Sequence, residues 1–149
     1  CCGQGHLSKR LEELGHKVYS TDLIDRGYGN GNIDFLKLDK LPYEDCQCIL
    51  TNPPYKLASE VVLKSLDLLN NGGYCIMFLK TIFLEGKKRY DTIFSKNPPK
   101  YMFQFVKRVL CAKNAEFDRM IAGGGSAVSY AWYVWEKGYK GDTIVKWIE

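Results

Sequence analysis

The feature that most constrains this chain is an apolar run, Cys48-Ile49-Leu50, that stops on Thr51-Asn52-Pro53-Pro54-Tyr55. Two successive prolines remove two backbone donors and fix two φ angles, so a strand ending there must leave its sheet stiffly extended. The Asn52 amide and the proline carbonyls then become rigid acceptors beside an aromatic face. That combination suits a planar group with an exocyclic NH2, which would donate two hydrogen bonds in its own plane and stack on Tyr55.

Around this stretch, strand and helix patterns alternate. Leu7, Leu11 and Leu14 recur at helical spacing before Gly15. Residues 17–22 are β-prone and end on Asp22, 25–32 form a Gly- and Asn-rich loop, 33–38 are a weaker strand candidate and 41–45 a turn. Residues 46–51 make the strand that feeds the prolines. Val61, Val62, Leu66 and Leu69 share one face of a helix over 58–69, closed by Asn70-Asn71-Gly72-Gly73. Residues 74–80 are apolar on both faces, the pattern of a strand buried inside a parallel sheet. A helix is predicted over 86–96, strands over 101–106 and 127–136 with a glycine-rich irregular segment between them, and a short edge strand over 143–148. The alternation predicts an α/β, Rossmann-like fold. Its sheet would be mostly parallel, in three αβα layers, with an antiparallel strand pair near the C-terminus.

The 149 residues form one domain, 1–149, with no stretch left for a separate target-recognition domain. Hydrophobic and charged fractions of 46% and 26% are those of a soluble globular protein, and no apolar run approaches the ~20 residues of a membrane span. The net charge of +4 permits a polyanionic partner without demanding one. The six cysteines include no C-x2-C pair and only two histidines, His6 and His16, accompany them. No metal site is expected, and most of the thiols read as reduced core residues of a cytoplasmic protein. The chain opens on Cys1-Cys2-Gly3-Gln4-Gly5, a glycine turn of the kind that follows a strand, so its N-terminus reads as clipped.

That turn precedes a helix, where backbone can approach a ligand closely. Ser8 stands where a dinucleotide fingerprint would carry its third glycine. Asp22, 17 residues beyond Gly5, can accept both hydroxyls of a ribose. His6 reads as a first-turn helix residue. The basic groups Lys87-Lys88-Arg89, Lys96, Lys100, Lys107-Arg108 and Lys113 read singly as solvated surface and jointly as a rim for phosphates. The aromatic run 130–135 reads as core.

Taken together, the glycine turn, the acid closing the second strand and Asn52-Pro53-Pro54-Tyr55 resemble the class I SAM-dependent methyltransferases with an Asn-Pro-Pro-Tyr motif. The phage-type DNA adenine-N6 methyltransferases are the members most resembled. The resemblance implies that S-adenosyl-L-methionine (SAM) is held by Cys1, Cys2, Gly3, Gly5, Asp22, Leu23, Asp34, Phe35 and Asn52. It implies catalytic roles for Asn52, Pro53, Pro54 and Tyr55, and no metal. The expected substrate is adenine N6 in DNA. An RNA adenine or guanine, or a protein glutamine, are the alternatives within the same chemistry, and an inactive nucleic-acid-binding protein is the alternative outside it. With no recognition domain, target choice would be lax or supplied by missing residues, a separate specificity subunit or a homodimer.

Overall fold

Five strands form one mixed sheet in a computed structural model that describes residues 1–109 and 128–149. They are β1 (Cys48–Thr51), β2 (Tyr74–Lys80), β3 (Tyr101–Phe105), β4 (Tyr130–Glu136) and β5 (Ile144–Ile148), in spatial order β1-β2-β4-β3-β5. β1 pairs with β2, and β3 with β5, in parallel; β4 runs antiparallel to both β2 and β3. The glycine-rich segment expected between β3 and β4 lies largely outside the described residues.

The mostly parallel, three-layer Rossmann-like arrangement is therefore overturned: two of the four pairings are antiparallel, and among the described residues the helices are few and short. The physical reason is that an apolar pattern reports burial and not direction. β2 is apolar on both faces because it is central, yet one of its two neighbours is antiparallel.

Residues 17–22 also differ from expectation. They are extended but join no sheet among the described residues, contributing only the bridge between Thr21 and Asn30. Their hydrogen bonds go to a local loop and to the glycine turn: Asn30 N to Ser20 O at 2.9 Å, Asp22 N to Asn30 O at 3.1 Å, Cys2 N to Thr21 O at 2.8 Å. A backbone satisfied this way needs no ladder. The weak strand over 33–38 is instead a 3-10 turn, Phe35–Lys37, capped by the Asp34 side chain, which accepts from Leu36 N. The helix expected over 86–96 is α3 (Lys87–Arg89) continued as a π-helical turn over Tyr90–Phe94, where Ser95 N reaches back to Tyr90 O at 2.9 Å.

Helix α1 (His6–Glu13) follows the glycine turn, and α2 (Ala58–Leu68) covers the packed face of the sheet. Val61, Val62 and Leu66 of α2 meet Cys75, Met77 and Leu79 of β2, Met102 of β3, and Ala131, Tyr133 and Trp135 of β4. Complete burial of each large aliphatic here contributes about 1.5–3 kcal/mol. The polar atoms carried inside find partners. Ser65 Oγ donates to Val61 O at 2.7 Å, Trp135 Nε1 to Asn97 O at 3.0 Å, and Tyr133 Oη to Thr81 O at 3.2 Å. Because β1 and β2 are parallel and β4 opposes them, the ends of β1 and β2 and the start of β4 emerge together. Lys80 faces Tyr130 in the ladder there.

Candidate functional site

β1 delivers Thr51 to the sheet end, and the prolines carry the chain out. Pro53 is buried, while Asn52, Pro54 and Tyr55 are exposed, Tyr55 by 39%. Pro54 O accepts from Leu57 N at 2.9 Å, closing the 3-10 turn Tyr55–Leu57 that runs into α2. The pair of outward carbonyls expected from the two prolines thus narrows to one. Pro54 O is used within the turn, and Pro53 O remains beside Asn52 as the acceptor that no described residue occupies.

The glycine turn is built opposite. Gly5 N donates to Cys2 O at 2.9 Å, and Gly5, at φ 82°, starts α1. A Cβ on Gly5 would stand 2.3 Å from the Tyr28 ring, so both its dihedral and its contact require glycine. Asp22 fastens the turn: Oδ2 accepts from Gly3 N at 2.8 Å and Oδ1 from Ile24 N at 3.1 Å. Burial raises the Asp22 carboxyl. The bonds from Gly3 and Ile24, with the Arg26 guanidinium, outweigh that and hold it below its ordinary value.

One hydrogen bond joins the two halves. Thr51 Oγ1 donates to Cys1 O at 3.0 Å, so the residue before Asn52 is tied to the glycine turn 50 positions away. Between the halves lies a cavity of about 940 Å³ along the outer edge of β1, within the size range of small-molecule sites. Cys1, Cys2, Gly3, Phe35 and Asn52 are in its wall. Gly5, Asp22, Leu23 and Asp34 are not. Gly5 lies beneath Tyr28, Asp22 supports Gly3 from behind, Leu23 is 59% exposed, and Asp34 caps its own 3-10 turn.

Tyr55 stands outside the cavity, against the start of the aromatic run 130–135, whose Tyr130, Ala131, Tyr133, Val134 and Trp135 are buried in the core as expected. The Tyr55 ring lies 6.2 Å from that of Tyr130, which stacks on Phe78 at 5.1 Å and 8°. Lys80 Nζ lies over the Tyr55 ring, 4.8 Å from its centroid. Thr51, Lys80 and Tyr130 were not among the expected site residues. A hydroxyl directly before Asn52 and a lysine closing an apolar strand were the available signals.

The basic residues are less of a rim than their number implies. Arg89 donates to Phe83 O at 2.8 Å and to Glu85 O, Lys87 pairs with Asp91 and Lys100 with Glu136, each pair at 2.6 Å. Lys113 lies outside the described residues. His6 and His16 are exposed. Among the described residues, no cluster of His, Cys, Asp and Glu could hold a metal ion, and Cys1, Cys2, Cys46, Cys48 and Cys75 are free thiols; of these Cys75 alone is buried, so the expectation that most of them are core residues does not hold. No helix among them is long and apolar enough to cross a membrane. No protein-family model matches the chain, and no curated protein matches it significantly.

Proposed function

We propose that this protein is cytoplasmic and transfers the methyl group of SAM to an exocyclic amino group, foremost N6 of adenine in DNA. The supporting observation is the bond from Thr51 Oγ1 to Cys1 O. With it, Cys2 and Gly3 of the glycine turn and Asn52 share the wall of one cavity, with Pro53 directly behind Asn52 in the chain. The N–H groups of Cys2, Gly3 and Gly5 are already bonded within the protein, so the first turn of α1, where His6 and Leu7 line the cavity, would receive the carboxylate of an amino acid, and the volume of about 940 Å³ accommodates a nucleoside with an amino acid chain.

SAM, when bound, supplies an electrophilic methyl group on a sulfonium. The chain's own part is positioning. Asn52 Oδ1 and Pro53 O would each accept one hydrogen of the substrate NH2, turning the nitrogen lone pair toward the cavity and away from the ring. Tyr55 would stack the base, which must leave its duplex to reach these acceptors. An amine attacking the methyl carbon of a sulfonium needs no general base: the C–N bond would form as the C–S bond breaks, the thioether leaving with the electron pair, and the proton departs afterwards to solvent. Orientation and preorganised dipoles therefore carry the rate.

The test is tritiated SAM incubated with DNA, RNA and protein pools, followed by nucleoside and amino acid analysis. Label in N6-methyladenine from DNA is expected, and label confined to RNA or protein would overturn the choice of substrate. Asn52→Ala should lower turnover by about 10²–10³-fold at an unchanged melting temperature. Tyr55→Phe should stay near wild type, because stacking needs the ring and not the hydroxyl. An Asn52→Ala protein that is active but less stable would mean that the prolines only shape a loop.

A further inference from the structure

The peptide unit between Cys1 and Cys2 is held at both of its polar ends. Its carbonyl accepts from Thr51 Oγ1 at 3.0 Å, and its N–H donates to Thr21 O at 2.8 Å. A trans peptide unit is planar, with its C=O and N–H pointing opposite ways. One rigid plate therefore spans from β1 to the extended segment 17–22. Each end of it adjoins a group of the candidate site. Asn52 follows Thr51, and Asp22, which accepts from Gly3 N at 2.8 Å, follows Thr21. Cys1, Cys2, Thr21, Thr51 and Asn52 all line the cavity. Thr51 itself is 9% exposed and pairs in the parallel ladder with Met77, which is fully buried, so its hydroxyl is presented from a fixed strand.

We propose that Thr51 is a positioning residue that couples the cofactor half of the site to the amine half. A cofactor seated against the glycine turn fixes the Cys1–Cys2 peptide, and through Thr51 Oγ1 that peptide fixes Asn52. The role rests on the methyltransferase proposal above and adds a regulation of the same site: occupancy by the cofactor raises the affinity for the amine substrate. The sign follows from ordering. Whichever ligand binds first meets the cost of fixing the bridge, and the second finds it already fixed. The coupling is reciprocal, so the substrate strengthens the cofactor by the same factor. Threonine suits the place because a carbonyl needs a donor, which valine, of the same shape, lacks.

S-adenosylhomocysteine, the demethylated product, would fill the cofactor site without turnover. The test is the affinity of a fluorescent single-stranded oligodeoxynucleotide containing adenine, measured with it and without it. In wild type, saturating S-adenosylhomocysteine should tighten the oligonucleotide about tenfold. Thr51→Val keeps the branched shape and removes the donor, and the ratio should fall to about one. Thr51→Ser keeps the donor and should restore the ratio. A merely structural threonine would lower the melting temperature of Thr51→Val and leave its ratio at the wild-type value, which overturns the assignment. A wild-type ratio of one overturns it too, as does an oligonucleotide that wild type does not bind. Calorimetric titration of S-adenosylhomocysteine and methyl transfer from SAM to the same oligonucleotide read the parent proposal separately. Transfer with a wild-type ratio in Thr51→Val removes the role of Thr51 and leaves the methyltransferase standing. A ratio that depends on Thr51 without transfer does the reverse, and absence of both cofactor binding and transfer overturns the two together.

Discussion

Asp22 joins two pieces of backbone and also carries charge, and the two roles separate by substitution. Its carboxylate receives Gly3 N and Ile24 N, so Asp22→Ala should loosen the glycine turn as well as remove an acceptor. SAM binding should weaken by about 1.5–3 kcal/mol, read by calorimetric titration. Asp22→Asn keeps one acceptor for Gly3 N and should lose less. Unchanged affinity in both variants would mean that the turn fastened by Asp22 takes no part in the proposed SAM site. The carboxyl is held below its ordinary 3.8, which gives the stability effect its sign. The contribution is complete above the unfolded value and fades as pH falls through the lower folded value. The difference in melting temperature between wild type and Asp22→Asn should therefore shrink as the medium is acidified below that range.

At the scale of elements, the interior and the edges of the sheet differ in what they tolerate. Leu79 on β2 is 0% exposed and packed between α2 and β4. Leu79→Ala should cost about 2–5 kcal/mol. Ile144 on β5 is 46% exposed at the sheet edge, and Ile144→Ala should stay within about 0.5 kcal/mol of wild type. Urea unfolding midpoints measure both, and equal losses would mean that β5 is covered in solution. The same contrast explains which elements were legible in advance. β1, β2 and α2 declare themselves through apolar spacing, prolines and the Asn70 to Gly73 turn, all local signals. The helix over 86–96 shows the limit. Its apolar spacing is real, but Arg89, drawn back onto the carbonyls of Phe83 and Glu85, and the wide turn at Tyr90 are not encoded in a period.

For the molecule as a whole, cysteine chemistry should be silent. Cys75 is fully buried, and burial pushes its thiol far up, so it is a poor nucleophile. Thiol titration of denatured, non-reduced protein should find all six cysteines free, Cys111 included; bound zinc by elemental analysis would overturn that. In native protein Cys75 should not react. The sequence by itself determined the parts whose causes are neighbours in the chain: the stiff exit at Asn52-Pro53-Pro54, the glycine turn ahead of α1, and the apolar faces of α2 and β2. Only the tertiary structure decided what those parts meet. Strand direction depends on which distant edge supplies the hydrogen bonds, so β4 lies against both neighbours and residues 17–22 turn to a local loop. The approach of Thr51 to Cys1 and of Lys80 to Tyr55 joins residues far apart in sequence. No periodicity reports such pairs, because a pairing energy exists only once both partners have been brought to the same place.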